Sequence, residues 1–255
     1  MLLHAVFTFL VGLAIGSFLN VCIFRLPKRA SLLTPGSSCP ACGHRLSWKE
    51  NIPVVSYLLQ RAHCRHCQGR ISWIYPVVEV STACLFTGLF LRFGISPPFF
   101  LNALFFSALI VLMVIDVNER ILPNPLTIGG TVAGLALAPF QAQEILGASP
   151  GDYLAAYLFS FAGAVMGGGT LWLVAEFYYR IRKKEGLGFG DVKMMFMVGA
   201  LVGWRFVWPV IFLGSVLGTL VGGTYIYILR KGSRYELPYG SFLGIAAIIV
   251  VFWAR

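Results

Sequence analysis

Charged residues are scarce in this chain of 255 residues, since Asp, Glu, Lys and Arg make up only 12% of it. Soluble domains usually carry about 25%. Hydrophobic residues account for 58% of the chain, and the mean hydropathy is +0.79. Such a chain has too few polar groups to cover a water-soluble globule, and it is too apolar to remain disordered. The composition therefore predicts an all-α, polytopic membrane protein.

Acidic residues are the scarcer of the two charged classes, with 10 Asp and Glu against 20 Lys and Arg. The resulting net charge of +10 would suggest nucleic-acid binding in a soluble protein. Here no soluble domain offers a basic stripe, and basic residues collect in the cytoplasmic loops of membrane proteins. We therefore expect contacts with membrane lipid and none with nucleic acid.

The apolar runs indicate about eight transmembrane helices. The first run, Leu2 to Phe24, lacks the basic start and the small-residue cleavage site of a signal peptide, so we expect it to stay as a helix. The later runs, which we expect to be helices, cover about 77–91, 93–115, 126–140, 153–175, 192–208, 206–229 and 237–253. The two runs that meet near Arg205 require a tight turn, and the sixth run is short for a full crossing. The predicted domains are a first helix at 1–24, a polar module at 25–76 and a transmembrane domain at 77–255.

The basic residues predict the orientation. With the polar module inside, 17 of the 20 Lys and Arg residues fall on the cytoplasmic side, and only Arg92, Arg205 and Arg255 fall outside. Such an asymmetry is typical of membrane proteins in their native orientation. It predicts a multi-pass membrane protein with its N-terminus outside and the polar module in the cytoplasm.

Four of the six cysteines form two pairs at metal-binding spacing, namely Cys39, Cys42, Cys64 and Cys67. Two short knuckles of this kind can close four thiolates around a zinc ion. Four thiolates leave no open position, so the zinc would be structural and would stabilise a loop too small for its own core. The alternative is redox chemistry, in which the four cysteines exchange electrons with a quinone. That role requires an oxidising compartment, whereas the charge pattern places the module in the cytoplasm.

Two carboxylates lie at the ends of apolar runs. Asp116 ends the third run, and Asp191 opens the sixth within Gly186-Leu-Gly188-Phe-Gly190-Asp191. Each could be an interfacial cap, and Asp191 is suited to be the N-cap of its helix. Ionisable groups at membrane depth are, however, functional candidates by default. If the two face each other, one can hold a proton while the other acts as a base, which is the chemistry of aspartic peptidases.

The chain has little else that suggests catalysis. It contains no His-Glu-x-x-His motif and no serine elbow, and no strand precedes Gly188 as a dinucleotide loop would require. Glu79, at the start of the second run, could position a substrate amine or be an interfacial carboxylate. Three Gly-x-x-x-Gly patterns predict close helix packing within the chain, or else a homodimer face: Gly12–Gly16, Gly163–Gly167 and Gly218–Gly222.

Several motifs in this order resemble those of the type IV prepilin peptidases. They include Gly16-Ser-Phe-Leu-Asn-Val-Cys-Ile-Phe-Arg-Leu-Pro27, the two cysteine pairs, Ile71-Ser-Trp-Ile-Tyr-Pro-Val-Val-Glu79, Asp116 with Ile121-Leu-Pro-Asn124, Gly188-Phe-Gly190-Asp191-Val-Lys193 and Pro238-Tyr-Gly-Ser-Phe-Leu243. The similarity covers nearly the whole chain. The family often has Pro where Ser241 stands, and we expect this departure to affect only a loop.

The resemblance implies a location in the bacterial inner membrane and two activities. The first is removal of the basic leader peptide from type IV prepilins and pseudopilins of type II secretion systems, with Asp116 and Asp191 matching the two catalytic aspartates. The second is methylation of the new N-terminal amine with S-adenosylmethionine as cofactor. No methyl-donor fold is recognisable, and the candidate binding regions are 16–27 and the cysteine module. The motif after Asp116 ends in Asn124, whose side-chain amide cannot act as an acid, so this chain has no third carboxylate at that position.

Three rival hypotheses remain at this stage. The thiol–quinone oxidoreductase would use the four module cysteines. A non-catalytic scaffold for pilus assembly would not need the two aspartates. A small transporter would place its acidic groups at the midplane rather than at one face.

Overall fold

The computed structural model describes residues 1–145, 152–184, 186–228 and 237–253. Two parts of the predicted charge pattern, the basic cluster between Arg230 and Arg234 and the terminal Arg255, lie outside these residues. Within the described ranges the chain forms helices, and the only β-structure is a pair of isolated bridges in the polar module. The expected all-α class is therefore confirmed.

The helices follow one another along the chain as α1 (Leu2–Arg25), α2 (Val55–Leu59), α3 (Ile74–Phe93), α4 (Pro97–Glu119), α5 (Asn124–Ala136), α6 (Ala138–Ile145), α7 (Tyr153–Arg182), α8 (Phe189–Val202), α9 (Trp204–Leu217), α10 (Gly223–Ile228) and α11 (Tyr239–Trp253). A short 3₁₀ turn, Trp48–Glu50, precedes α2, and a π turn, Gly218–Gly222, joins α9 to α10.

Within the described residues, each of the eight predicted apolar runs forms helix over most of its length, but the count of eight full spans is not confirmed. Among the described residues, five helical segments are long and apolar enough to cross a bilayer: Leu2–Arg25, Ile74–Phe93, Pro97–Glu119, Tyr153–Arg182 and Trp204–Tyr225. The other three runs form shorter helices. The predicted run at 126–140 divides into α5 and α6 at Leu137. Helix α8 has 14 residues, or about 21 Å, against a hydrocarbon core of about 30 Å.

The chain divides into two compact units, residues 1–111 and 112–255. The predicted division at residues 24 and 76 stays a prediction. The first unit contains α1, α3 and the polar module. The second unit contains the end of α4 and everything after it.

In the first unit, α1 and α3 pack through glycines of α1. A Cβ atom at Gly12 would lie 2.6 Å from Cα of Ala83, and one at Gly16 would lie 2.6 Å from Cα of Glu79. One turn further along, the side-chain amide of Asn20 donates to the carbonyl of Tyr75 at 3.1 Å. These contacts step by four residues in opposite directions, so the two helices are antiparallel. The first Gly-x-x-x-Gly pattern is therefore used for packing within the chain.

In the second unit, a similar contact brings α7 against α8. A Cβ atom at Gly163 would overlap the carbonyl oxygen of Gly199, and a Cβ at Gly167 would lie 2.5 Å from the carbonyl oxygen of Met195. Side chains on this face would push the helices apart, so the second glycine pattern also serves packing within the chain. Helix α8 is buried by this contact, and Met194, Met195 and Val198 are fully inaccessible.

The tight turn predicted near Arg205 is confirmed. A single residue, Gly203, separates α8 from α9, and its φ of +74° lies in the region that favours glycine. A Cβ at this position would also overlap the ring of Phe159. Helices α8 and α9 are therefore two separate helices joined by a one-residue turn.

We predict that Gly163→Ala destabilises the fold, whereas Gly169→Ala in the same helix does not. The first change forces α7 away from backbone atoms of α8, at a cost of about 1–3 kcal/mol. The second adds a methyl group where nothing lies within 4 Å, and alanine favours a helix over glycine by about 1 kcal/mol. Thermal unfolding of both variants in the same detergent measures the difference, and equal melting temperatures would contradict the packing argument.

Candidate active site and metal centre

The two predicted catalytic carboxylates both lie in the second unit, and both are buried. Asp116 lies near the end of α4 and is 5% exposed, while Asp191 is 9% exposed in the first turn of α8. The N-cap of α8 is Gly188, so Asp191 is not the N-cap that the sequence allowed. Its side chain is instead enclosed by the protein.

Gly240, in the first turn of α11, brings the two carboxylates together. A Cβ atom built on Gly240 would lie 2.9 Å from Oδ1 of Asp191 and 3.1 Å from Oδ2 of Asp116. The two oxygens are therefore separated by no more than the sum of these distances, about 6 Å. Two residues that are 75 positions apart in the chain thus face a common point.

The surroundings of this point contain little side-chain bulk. A Cβ at Gly188 would lie 3.4 Å from Oδ2 of Asp191. At Gly190 a Cβ would lie 3.1 Å from Cβ of Leu122, and at Gly240 it would lie 3.1 Å from Cδ1 of the same leucine. The glycines of the Gly-x-Gly-Asp motif therefore let α8, α11 and the segment after α4 approach one another.

Ser241 has a role that sequence reasoning missed. It lies in α11 rather than in the expected loop, and it is 6% exposed. Its backbone N–H donates to Oδ2 of Asp116 at 2.8 Å, and its hydroxyl lies 2.9 Å from the same oxygen. The expectation that a change at this position would affect only a loop was therefore wrong. The signal in the sequence was the apolar run at 237–253, which already included Ser241 in an expected helix.

Asn124 takes part in a polar contact of its own. Nζ of Lys193 donates to Oδ1 of Asn124, which links the start of α5 to α8. The acceptor is an amide oxygen, so Asn124 binds Lys193 without adding a third acid beside Asp116 and Asp191. The contact supports the position of α8 two residues after Asp191.

The four module cysteines, in the first unit, lie together as predicted. Their sulfur atoms are all within 4.8 Å of one another, and Sγ of Cys39 lies 3.9 Å from Sγ of Cys67. Four sulfurs at about 2.3 Å from a zinc ion would be about 3.8 Å apart, so the cluster fits a tetrahedral site. The four cysteines are therefore placed to bind a metal ion.

The two halves of this cluster share one backbone pattern. The N–H of Cys39 donates to the carbonyl of His44, and that of Cys64 donates to Gly69, both at 2.9 Å. Gly43 and Gln68 adopt a positive φ at equivalent places, four residues after each first cysteine. Each pair thus forms a tight turn that directs its sulfurs to a common centre.

The thiols of the metal cluster influence one another. All six cysteines of the chain are free thiols. A hydrogen bond from the backbone of Cys42 lowers the pKa of Cys39 to about 7, which favours the thiolate that zinc requires. A backbone hydrogen bond from His44 acts to lower the pKa of Cys42, but burial and the neighbouring Cys39 raise it to about 11. The thiol–quinone hypothesis finds no support in this geometry.

Glu79 is also buried, in the first unit, and is 7% exposed. Its Oε2 accepts the backbone N–H of Val54 at 2.7 Å. Val54 has a φ of +61°, which is unusual for a β-branched residue, so the bond from Glu79 holds a strained turn. Nearby on α1, Oδ1 of Asn20 is buried and has no hydrogen-bond partner among the described residues.

Comparison with known families gives two matches. The family described as Bacterial Peptidase A24 N-terminal domain matches residues 10–93, and the type IV leader peptidase family matches residues 103–223. No solved structure matches the chain. The two matches follow each other along the chain, and together they cover most of it.

Curated relatives extend along nearly the full chain. A protein of Myxococcus xanthus is 37% identical over 98% of this chain and 72% of its own length. A protein of Pseudomonas putida is 33% identical over 95% of this chain and 88% of its own. One from Bacillus subtilis is 33% identical over 96% and 92%. Each of the three is named prepilin leader peptidase/N-methyltransferase.

We predict that the purified protein contains one zinc ion per chain and that Cys64→Ser abolishes its binding. Removing one of four thiolates opens the site and leaves three ligands. Cys84→Ser is the matched control, because Cys84 is exposed on α3 and lies outside the cluster. Elemental analysis with thiol counting measures both. Four module cysteines found as two disulfides would contradict the metal site.

Proposed function

This chain belongs to the type IV leader peptidase family, and we propose that it cleaves the leader peptide from prepilins and pseudopilins and methylates the new N-terminal amine. The curated relatives carry both activities in their names. The observation that supports the first activity on this chain is the approach of Asp116 and Asp191 to within about 6 Å around Gly240.

In the proposed arrangement a water molecule lies between the two carboxylates. In the proposed reaction one carboxylate takes a proton from that water as it attacks the carbonyl carbon of the scissile bond. The other donates a proton to the nitrogen that leaves. Burial keeps bulk water away from the pair, and the missing side chains at Gly188, Gly190 and Gly240 leave space for a peptide backbone.

The substrate's apolar segment would lie in the bilayer. The chain is an integral inner-membrane protein, with five helical segments long enough to cross within the described residues. The asymmetry of Lys and Arg supports a cytoplasmic position for the ends of α4 and α8 that carry the aspartates. The basic leader peptide would then be cleaved on the cytoplasmic side of the membrane, where the prepilin is synthesised.

The cysteine module would be held together by zinc as a structural ion. Cys39, Cys42, Cys64 and Cys67 would be its four ligands, and a site with four thiolates has no open position for substrate. The module buries few large apolar side chains, so the metal would replace a hydrophobic core.

The methylation step would use the first unit. S-adenosylmethionine, when bound, supplies an electrophilic methyl group on a sulfonium. The chain's own contribution would be to place a neutral amine in line with it. Two buried acceptors within or near region 16–27 support this location: the carboxylate of Glu79 and the unpartnered Oδ1 of Asn20. An unpaired buried acceptor costs about 1–3 kcal/mol, which binding of a cationic group would recover.

We predict that Asp116→Asn and Asp191→Asn each abolish leader cleavage. Both variants keep the shape of the side chain but remove its ability to exchange a proton. Mass spectrometry of a prepilin incubated with each purified variant measures the product. Asp152→Asn is the control, because Asp152 is exposed before α7.

The aspartate variants also separate the two activities. Methylation of an already cleaved substrate should survive both changes, because the acceptors proposed for that step lie in the other unit. Full cleavage by either variant would remove that residue from the mechanism, whereas a lack of cleavage by the unaltered protein would favour the scaffold hypothesis.

We predict that Glu79→Gln lowers methylation at least tenfold and leaves leader cleavage within twofold of the unaltered protein. The amide removes the negative charge that would attract a cation. Glu50→Gln is matched to it, because Glu50 also accepts a backbone N–H in the same unit, at 2.9 Å from Ser47, but in a less buried position. Transfer of a labelled methyl group to a cleaved substrate measures the effect. Equal methylation by the two variants would contradict the proposed location.

A further inference from the structure

Ser241 touches one of the two carboxylates through both its backbone and its side chain. It is the third residue of α11, directly after Gly240, and its side chain is buried. Its N–H lies 2.8 Å from Oδ2 of Asp116 and 3.2 Å from the carbonyl of Pro238, so the shorter bond goes to the carboxylate. The backbone of α11 therefore holds one oxygen of Asp116.

The hydroxyl of Ser241 has two neighbours. Its Oγ lies 2.9 Å from Oδ2 of Asp116 and 3.0 Å from the carbonyl oxygen of Met113, one turn earlier on α4. A serine hydroxyl has one hydrogen and two lone pairs, so it can donate to only one of these oxygens at a time. Two arrangements of the same atoms are therefore available.

Each arrangement suits one protonation state of Asp116. When Asp116 is ionised, the hydroxyl can donate to Oδ2. When Asp116 carries a proton on Oδ2, the Ser241 hydroxyl can donate to the Met113 carbonyl instead. Oγ of Ser241 can then accept a hydrogen bond from the protonated Oδ2. The hydrogen atom moves by rotation about the Cβ–Oγ bond, and no heavy atom has to shift.

We propose that Ser241 is a positioning residue of the peptidase site, whose hydroxyl holds Oδ2 of Asp116 in both protonation states of the catalytic cycle. This inference rests on the proposed function, in which each carboxylate gains and loses a proton in turn. Ser241 acts through Asp116 and not on the substrate. It acts by keeping the carboxylate of Asp116 directed at the point that Asp191 also faces.

The test compares Ser241→Ala, Ser241→Thr and Ser160→Ala. Alanine removes the hydroxyl but keeps the backbone N–H, whereas threonine keeps both. Ser160 is a matched buried serine in the same unit, 2% exposed, whose hydroxyl donates to the carbonyl of Ala200 between α7 and α8. Its loss should lower stability without touching the carboxylates.

We expect kcat for prepilin cleavage to fall about tenfold in Ser241→Ala, the size typical of losing one hydrogen bond to a charged group. KM should stay within twofold, because substrate binding does not involve the hydroxyl. Ser241→Thr should recover kcat to within threefold of the unaltered protein. Ser160→Ala should keep both constants, even where its melting temperature falls as much as that of Ser241→Ala.

Three results would overturn the inference: an unchanged kcat in Ser241→Ala, a Ser241→Thr variant as impaired as Ser241→Ala, or equal losses of kcat in Ser241→Ala and Ser160→Ala. The proposed function fails separately, when the unaltered protein itself leaves the prepilin uncut.

Discussion

The second unit depends on the absence of a side chain at Gly240. Helix α11 brings its first turn against two carboxylates from α4 and α8, and a single added carbon would lie about 3 Å from an oxygen of each. Contacts of that length are too short for carbon and oxygen, so any larger residue would have to displace a carboxylate. Convergence of the two acids is thus a consequence of backbone proximity, which small residues alone permit.

Other close contacts hold this arrangement in place. The glycine face between α7 and α8 buries α8, and Gly203 ends that helix after 14 residues, before α9 begins. Lys193 and Asn124 join α8 to α5. Asp191 therefore projects from a helix whose position is fixed on several sides, as the proposed catalysis by a pair of acids requires.

The first unit contains a polar module that has to be stabilised without a hydrophobic core. Its polar module has too few apolar residues for a core, so two knuckles direct four thiols to one centre. The module is also joined to the membrane helices by Glu79, which accepts the N–H of the strained Val54. In a low-dielectric setting, such a bond to a carboxylate is strong enough to hold an unfavourable backbone conformation.

Local sequence determined the features that depend on composition and short spacing. Apolar runs form helices because backbone groups in a membrane must form their hydrogen bonds within the segment. Each cysteine pair is held by a local turn, so its spacing is visible in the sequence. Asp116 and Asp191 can be recognised because charged groups at membrane depth are costly and therefore rare. Tertiary structure alone decided the contacts of Gly240 and Ser241 with Asp116 and the contact of Glu79 with Val54. Those contacts join residues 25 to 125 positions apart, and no local pattern carries information about which distant groups the folded backbone brings within hydrogen-bond distance.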